Sequence, residues 1–379
     1  MKKKILFVTE RRADYSKLLP VIEEIKKSKK WEYYLVVTGS HLLKSQGFSI
    51  NEIKKDGLKI YKKYKIFDEN DQDSPSTMTL AFGKSIINLT KIIKELKPDL
   101  IFSGFDIGAN FALAIVGAHM NIHVAHLEGG EITGTIDESI RHATTKFAHI
   151  HFTTNEKAKK RLIRMGEDSK NIFVVGNPSL DTIKSIKDIS KKEIEKEFQI
   201  DLKKPFLLIL QHTVTTEIEK VENYFLETIN AIKELNINAI IISGNNDAGS
   251  KKIKKIIANS KFQHYENLPF EKYINLLKYS SAIIGNSSSG VMEAPFLYKP
   301  SINIGTRQNK REKTKSVINV DYKKGQIKKA INKILFDKKF LAQIKQQKNL
   351  YGDGTASKKI VKILEKLNIK EIPIQKEMK

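Results

Sequence analysis

The sequence contains no cysteine among its 379 residues. This absence excludes disulfide bonds, thiolate metal sites and catalysis by a thiol nucleophile. The sequence also lacks any apolar run near the roughly 18 residues that a membrane-spanning helix needs. Residues 1–8 hold only a short apolar run before Thr9 and Glu10, too short for the core of a signal peptide. We therefore expect a cytoplasmic protein that does not cross a membrane.

Several sequence motifs of cofactor sites are absent as well. No Gly-x-Gly-x-x-Gly and no P-loop lysine motif occurs, so nothing indicates a phosphate cradle for a nicotinamide dinucleotide or ATP. The nine histidines show no paired spacing typical of a metal site. No repeat with a period of about 20–50 residues is present. The sequence therefore predicts no cofactor and no metal.

The charge is strongly unbalanced, with a net charge of +24. Such a charge is compatible with nucleic-acid binding. However, the excess consists mainly of lysines spread along the whole chain, and residues 101–150 carry five acidic side chains against two basic ones. A nucleic-acid groove is rarely acidic where its motifs are densest. We therefore interpret the excess as a solvated lysine surface and expect no nucleic-acid partner.

The order of apolar runs predicts two α/β domains. Hydrophobic residues make up 40% of the chain, and its length suits two domains of roughly 100–200 residues each. Short β-branched runs alternate with helical patterns, which is typical of doubly wound parallel sheets. The predicted strands are residues 5–9, 34–38, 100–103, 123–127, 149–153, 206–210, 239–243, 282–284 and 301–304.

A turn-forming segment sets the predicted domain limits. Gly176-Asn177-Pro178 separates the two series of strands. We expect one Rossmann-like domain at residues 1–177 and a second at 178–356, with a cleft between them. Residues 357–379 begin with an amphipathic helix that is expected to pack back on the first domain. Residues 68–76 are polar and are expected to form an exposed loop.

Charged side chains follow the first two predicted strands. Ligands bind at this end of parallel strands in open α/β sheets. Arg12, Asp14 and Lys17 lie where the first strand gives way to a helix, whose free N–H groups and dipole suit an anion. The alternative is an Asp helix cap between solvated charges. His41 comes shortly after the second predicted strand, where it could be a ligand. An incidental histidine beside a helix-capping serine is an equally good interpretation.

Three carboxylates follow the next strands. Asp106 comes after the predicted strand 100–103. Glu128 directly follows the predicted strand 123–127 and precedes two glycines, and Asp137 begins a helix. Asp137 and Arg141 are four residues apart, so they share a helix face. Converging carboxylates suit general acid–base chemistry that needs two different pKa values. Each carboxylate alone could instead be a structural cap.

The second half of the chain repeats this arrangement. Polar residues follow its strands: His212, Asn245, Asn286, Ser287, Ser288 and Glu293. The serine turn enters a helix and suits diphosphate oxygens that meet N–H groups. Glu293 lies on the first turns of that helix, where a carboxylate can bind ribose hydroxyls. A serine-rich capping turn is the alternative.

Together these motifs resemble the hydrolysing UDP-N-acetylglucosamine 2-epimerases of sialic-acid and related nonulosonic-acid synthesis. The most specific stretch is residues 126–142, His-Leu-Glu-Gly-Gly-Glu-Ile-Thr-Gly-Thr-Ile-Asp-Glu-Ser-Ile-Arg-His. Residues 12–17, 211–216, 285–290 and 305–308 support it, and the resemblance spans about residues 4–360.

The resemblance implies a GT-B-type fold, a UDP-sugar substrate, no cofactor and a homo-oligomer, either a dimer or a tetramer. It places five residues against the nucleotide and its diphosphate, namely Arg12, His212, Ser287, Ser288 and Arg307. Glu293 is implied to bind the ribose. The implied catalytic set is Asp106, Glu128, Asp137, Arg141 and His212, with the three carboxylates around the sugar and Arg141 orienting them.

Two departures from the family pattern leave the sugar open. Relatives often have Gly-Asp-Arg where this chain has Phe105-Asp106-Ile107, and Met292 replaces an arginine that some relatives carry. A 2,4-diacetamido-trideoxy sugar, as in legionaminic-acid synthesis, is therefore an alternative substrate. The alternative enzyme classes are a non-hydrolysing 2-epimerase and a retaining glycosyltransferase.

Overall fold

The computed structural model describes residues 1–72, 74–105, 108–244 and 248–377. Its internal contacts divide the chain into two compact units. Unit 1 comprises Met1–Ile132, Ile136–Lys184 and Tyr351–Lys379, and unit 2 comprises Thr133–Thr135 and Ser185–Leu350. These limits differ by several residues from the ones expected from the sequence. The sequence also gave no sign that residues 133–135 group with unit 2.

Unit 1 is built on a seven-stranded parallel sheet with strand order β3-β2-β1-β4-β5-β6-β7. Its strands are β1 Lys3–Thr9, β2 Trp31–Val37, β3 Ile60–Lys63, β4 Leu100–Gly104, β5 His123–Leu127, β6 Ile150–Thr153 and β7 Ile172–Val174. Its helices are α1 Arg12–Lys27, α2 Ile50–Lys55, α3 Pro75–Leu96, α4 Gly108–His119, α5 Ile136–Phe147, α6 Glu156–Arg164, α7 Ser179–Ser185 and α15 Ala356–Lys366. The central strands β1, β4 and β5 are mostly buried because helices cover both faces of a parallel sheet.

Unit 2 contains a six-stranded parallel sheet with strand order β10-β9-β8-β11-β12-β13. Its strands are β8 Phe206–Leu210, β9 Asn238–Ile242, β10 Gln263–Tyr265, β11 Ala282–Gly285, β12 Ser301–Ile304 and β13 Val317–Val320. Its helices are α8 Lys191–Phe198, α9 Val221–Glu234, α10 Ser250–Ala258, α11 Phe270–Tyr279, α12 Glu293–Phe296, α13 Lys324–Phe336 and α14 Lys338–Lys345.

The two parallel sheets confirm the predicted α/β fold class. The sequence missed the edge strands β3, β7, β10 and β13, which are three or four residues long and only partly buried. Such strands lack the continuous apolar run that marks a central strand. Pro75 was placed in a loop, but it is the first residue of α3, whose N-cap is Ser74. Proline is favoured at this position because its missing N–H would have no helical partner there.

The C-terminal helix of unit 1 packs on its first helix. Ile360, Val361 and Leu364 of α15 share a core cluster with Leu18 and other apolar residues of α1. The indole N–H of Trp31 donates to the carbonyl of Leu364 at 3.2 Å, which fixes α15 beside the start of β2. In the described part of the chain, no helix is both long and apolar enough to cross a membrane.

Strand register brings the polar loops of unit 1 to one edge of the sheet. Gly104, the last residue of β4, pairs with Leu127, the last residue of β5. The residues that follow, Phe105 and Glu128, therefore leave neighbouring strands at the same level. This edge is where the sequence predicts the site.

Candidate active site

The turn between β1 and α1 is organised around Asp14, whose side chain is 1% exposed. Its carboxylate accepts hydrogen bonds from the backbone N–H groups of Glu10 and Arg11, each at 2.9 Å, and from the Thr9 hydroxyl at 3.1 Å. Burial raises the pKa of Asp14 to about 6, against the opposing effect of the backbone hydrogen bonds. These contacts show that Asp14 shapes the turn. Its direct contact with a substrate stays a prediction.

His41 is completely buried beside this turn. Its Nε2 lies 2.9 Å from the Thr9 hydroxyl, which already donates to Asp14, so Nε2 is the donor of this pair. Its Nδ1 then accepts from the Ser49 hydroxyl at 2.7 Å. Burial and the charge of Arg12 lower the pKa of His41 to about 3, which agrees with a neutral ring. The structure therefore places His41 inside the fold rather than at a surface.

Arg12 is held from the side by helix α2. Its guanidinium donates to both carboxylate oxygens of Glu52, with the shortest contact at 2.7 Å, and to the carbonyl of Gln46 at 3.1 Å. About a fifth of the Arg12 side chain is exposed. A bidentate pair of this kind fixes the plane of the guanidinium, so Arg12 presents a rigid face to any ligand.

Glu128 and Lys17 form the main ion pair at the strand ends. Lys17 Nζ lies 2.8 Å and 2.9 Å from the two Glu128 carboxylate oxygens. The Lys17 side chain is 13% exposed and the Glu128 side chain is 4% exposed, so the pair is shielded from water. Lys17 Nζ also lies 4.9 Å from the centroid of the Phe105 ring, within the range of a cation–π contact. Two of the predicted site residues are thus brought together.

The backbone at these strand ends is strained. Phe105 and Glu128 have φ angles of 73° and 64°, in the left-handed region that non-glycine residues rarely adopt. Each such residue costs on the order of 1 kcal/mol or more, and such strain clusters at functional sites. The Glu128 N–H donates to the Phe152 carbonyl of β6 at 3.0 Å, which anchors the residue in this conformation.

The turn after Glu128 is fixed by its glycines and by helix α5. Gly130 has a φ of 79°, and a Cβ there would lie 2.4 Å from the Ala158 carbonyl oxygen, so no larger residue fits. Arg141, which is 1% exposed, donates to the Glu131 carbonyl at 3.0 Å. Arg141 therefore supports the turn that bears Glu128. Asp137 is half-buried in the first turn of α5.

Near the strand ends of unit 1, sequence reasoning missed the buried acids Glu10 and Glu131. A Glu10 carboxylate oxygen accepts from the Ala109 N–H at 2.8 Å, at the start of α4. The Glu131 carboxylate accepts from the Asn155 side chain at 3.0 Å and from the Thr154 hydroxyl. Glu10 directly follows a strand, so its position was a usable signal. The partners of Glu131 depend on β6 and could not be foreseen. Asp106 lies outside the described residues.

The Lys17–Glu128 pair predicts a large effect on stability. Replacing Lys17 with Met leaves an almost fully buried carboxylate without its cation, and we expect a loss of about 3 kcal/mol in the free energy of unfolding. Lys27→Met on the same helix breaks an exposed pair with Glu24 and should cost less than about 1 kcal/mol. Urea unfolding measures both variants, and equal losses would contradict the assignment.

In unit 2, His212 and Asn286 lock two loops together. The Asn286 side chain accepts from the His212 N–H at 2.7 Å and donates to the His212 carbonyl at 2.9 Å. These loops follow the neighbouring strands β8 and β11, where Gly285 pairs with Leu210. Gly285 has a φ of 136°, and a Cβ there would lie 2.2 Å from the Leu210 carbonyl oxygen. The close approach of these strand ends therefore requires glycine.

The serine turn after β11 leads into a short helix. Residues 288–290 form one 3₁₀ turn, capped by the Ser287 hydroxyl, which accepts from the Ser289 N–H at 3.3 Å. Helix α12, which begins at Glu293, has only four residues. The turn therefore offers a few N–H groups and hydroxyls rather than a long helix dipole. Ser288 is half-buried and Glu293 is buried.

The loop after β12 joins this cluster. Arg307 NH1 donates to the Asn286 carbonyl at 3.2 Å, so His212, Asn286 and Arg307 are connected by direct hydrogen bonds. The Arg307 carbonyl accepts from the Gly134 N–H at 2.9 Å. The preceding Thr306 donates to Glu217 at 2.8 Å, which holds the loop from its other side. Asn245, also predicted to bind substrate, lies outside the described residues.

Carboxylates and histidines in the structure do not form a metal-binding set. Within residues 1–72, 74–105, 108–244 and 248–377, no group of three or more His, Cys, Asp or Glu side chains is arranged to hold a metal ion.

The fold and the site define a GT-B-type α/β protein with carboxylates at the strand ends of one unit and hydroxyl, amide and cationic groups at those of the other. The structure is similar to that of a UDP-N-acetylglucosamine 2-epimerase from Neisseria meningitidis bound to UDP-N-acetylglucosamine, with a TM-score of 0.82. The match covers 96% of this chain and 100% of that one at 22% sequence identity, so it shows the fold.

The sequence comparisons show the family. A family model for UDP-N-acetylglucosamine 2-epimerases matches residues 23–365. The chain is 33% identical to the hydrolysing UDP-N,N'-diacetylbacillosamine 2-epimerase of Legionella pneumophila, over 100% of this chain and 98% of that protein. It is 35% identical to a UDP-N-acetylglucosamine 2-epimerase of Neisseria meningitidis, over 87% and 86% of the two chains. The chain belongs to the UDP-N-acetylglucosamine 2-epimerase family, which confirms the resemblance, and it is an enzyme of that family.

Proposed function

We propose that the enzyme is a hydrolysing 2-epimerase, which converts UDP-N-acetylglucosamine and water into N-acetylmannosamine and UDP. The stretch at residues 126–142, with Glu128-Gly129-Gly130-Glu131 followed by Thr133-Gly134-Thr135, favours the hydrolysing group. The relative from Legionella that matches the whole chain is also named as a hydrolysing enzyme. The released sugar would enter the synthesis of a nonulosonic acid.

The proposed reaction is an elimination followed by hydration. A carboxylate removes the proton at carbon two of the sugar while UDP leaves carbon one, which gives an unsaturated glycal. Water then adds at carbon one, and a second carboxylic acid returns a proton to the opposite face of carbon two. Asp106 and Glu128 are proposed for these two steps, in either order, with Asp137 as a supporting acid or base. One acid and one base require carboxyl groups in different environments.

The observation that carries this proposal is the placement of Glu128. Its side chain is 4% exposed and has one fixed cation, Lys17 at 2.8 Å, yet its backbone is held in a strained left-handed conformation. Strained backbone of this kind clusters at functional sites. A charged carboxylate that is already shielded from water needs little solvent reorganisation when it accepts a proton.

Unit 2 is proposed to bind UDP. The leaving diphosphate develops negative charge, and donors that are already in place stabilise that charge. Arg307 is held on Asn286 at 3.2 Å, and the backbone of His212 is held on the same asparagine, so their loops have little freedom. The Ser287 and Ser288 turn supplies hydroxyls and N–H groups, and the buried Glu293 is proposed to bind the ribose.

A 2,4-diacetamido sugar nucleotide is the second candidate substrate. The chain has Phe105 where relatives often have glycine, and this ring is 3% exposed beneath Lys17. Ile107 replaces an arginine at the same loop. These apolar replacements suit a sugar whose carbon-four hydroxyl is replaced by an acetamido group and whose carbon six is a methyl group. The name of the Legionella relative points the same way.

Incubation with each sugar nucleotide separately tests the proposal. We expect free UDP and one free 2-epimerised sugar in each productive reaction, and the larger kcat/KM identifies the substrate. Recovery of an epimerised UDP-sugar with no free sugar would show a non-hydrolysing 2-epimerase. No reaction until an acceptor sugar is added would show a glycosyltransferase instead.

A further inference from the structure

The C-terminal segment of unit 1 is tied to the amino ends of two central strands. We name residues 372–376 the C-terminal strap. His123 Nε2 lies 2.7 Å from the Ile372 carbonyl oxygen, and His149 Nε2 lies 2.9 Å from that of Ile374. Since a carbonyl only accepts, both ring nitrogens donate. His149 Nδ1 accepts from the Val124 N–H at 3.1 Å, so this ring is neutral and sets the register of the strap.

Lys376, the last residue of the strap, caps the C-terminal end of α5. Its ammonium group donates to the carbonyls of Thr145 and Ala148 at 3.0 Å and 2.6 Å, with a further contact to Lys146. The last carbonyls of a helix have no donors within the helix, and a cation there is favourable. α5 runs into β6 without a glycine cap, so Lys376 supplies the cap from a distant part of the chain.

A buried carboxylate holds Lys376 in place. Glu167 accepts from Lys376 at 2.5 Å and from His151 Nε2 at 3.0 Å, and it is 4% exposed. Burial raises the pKa of Glu167, but the hydrogen bonds and charges of His151 and Lys376 lower it to about 2. The hydrogen bonds from Lys376 and His151 favour the charged carboxylate, so Glu167 holds the ammonium group of Lys376 in place.

Helix α5 connects this anchor to the turn that bears Glu128. The Thr145 hydroxyl lies 3.3 Å from Nδ1 of His126. His126 is on β5, two residues before Glu128. One helical turn earlier, Arg141 donates to the Glu131 carbonyl at 3.0 Å. The same helix begins with Asp137. A shift of α5 along its axis would therefore move both the Arg141 support and a proposed acid.

We propose that Lys376 is a positioning residue for the epimerase reaction, which fixes α5 and thereby the Glu128 turn and Asp137. This inference rests on the proposed roles of Glu128 and Asp137. Misplacement of catalytic groups by about 1 Å can cost up to about a hundredfold in rate. Among the described residues, the ammonium group of Lys376 contacts three backbone carbonyls and Glu167, so its removal should lower kcat without weakening the binding of UDP.

Three variants test the inference. Lys376→Met keeps the aliphatic stem and removes the donors, and Lys376→Arg restores donors and charge. Lys370→Met changes an exposed lysine nearby in the same C-terminal segment. We expect kcat to fall about tenfold in Lys376→Met, to recover by half or more in Lys376→Arg and to stay within twofold in Lys370→Met. Amide hydrogen exchange at residues 144–148 should be faster in Lys376→Met alone.

The number of UDP sites per chain is measured by calorimetry. It distinguishes a positioning role of Lys376 from unfolding of the Lys376→Met variant. A lower kcat with unchanged UDP stoichiometry supports the inference. A fall in kcat that matches a loss of UDP sites, or an unchanged kcat despite faster exchange, overturns it. If the wild-type enzyme releases sugar from no UDP-sugar, the proposed function fails instead. Unchanged exchange at residues 144–148 in Lys376→Met would then also overturn the anchoring of α5.

Discussion

Glu128→Gln is expected to lower kcat by about 10²–10⁴-fold, because an amide cannot exchange the proton that a general acid or base must carry. Affinity for UDP should change little, since all the residues proposed to bind the diphosphate and ribose lie in unit 2, and Arg12 is held by Glu52 rather than by Glu128. Asp106→Asn should have an effect of the same size. Single-turnover kinetics with mass spectrometry measures both variants, and the glycal should accumulate in the one that blocks the second step.

The ion pair with Lys17 requires a control for Glu128→Gln. This variant leaves Lys17, which is 13% exposed, without its carboxylate at 2.8 Å, so part of any loss could reflect stability. The double variant Lys17→Met/Glu128→Gln removes both charges and should regain stability in urea. It should not regain turnover. Turnover that recovers with stability would show that Glu128 is structural.

Arg307→Ala and His212→Ala are each expected to reduce kcat by about a hundredfold or more, the usual cost of removing one donor that stabilises developing charge. Arg307→Lys should recover only part of this loss, because an ammonium group lacks the planar fork of donors. Lys310→Ala changes an exposed cation in the same loop and should leave kcat within twofold. Steady-state kinetics measures all four variants.

The interpretation of Arg307 depends on its hydrogen bond to the Asn286 carbonyl. The loop is also held by Thr306 and Glu217 at 2.8 Å, so it should keep its place in Arg307→Ala. A normal UDP dissociation constant and a near-normal kcat in both alanine variants would remove these residues from the diphosphate site.

Local sequence patterns predicted the buried central strands and the polar residues that follow them. Buried strands such as β1 and β8 are continuous apolar runs, and the polar residues after them do lie at strand ends. Asp14 was open to two interpretations; it is the third residue of α1, its carboxylate accepts from the N–H of the N-cap residue Arg11, and its contact with a substrate stays a prediction. Edge strands such as β3 and β10 were missed because half-exposed strands carry no continuous apolar run.

Long-range pairs could not be predicted in the same way. Lys17 and Glu128 are 111 positions apart, and they meet because the sheet order places β4 beside β1 and β5 beside β4. The sequence left a ligand and an incidental histidine equally open at His41, and it could not predict that Thr9 and Ser49 contact its two ring nitrogens. Lys376 had no local signal at all, since its partners come from α5 and Glu167. The sequence thus indicated which residues lie at strand ends more reliably than it indicated what each one contacts.

The most direct measurement is the isotope content of the sugar released in deuterated water. The enzyme is incubated with UDP-N-acetylglucosamine in D₂O, and the products are analysed by mass spectrometry and proton NMR. Elimination and reprotonation predict free UDP and N-acetylmannosamine with one deuterium at carbon two. A released mannosamine-type sugar with hydrogen retained at carbon two would contradict the elimination route, and with it the proposed roles of Asp106 and Glu128.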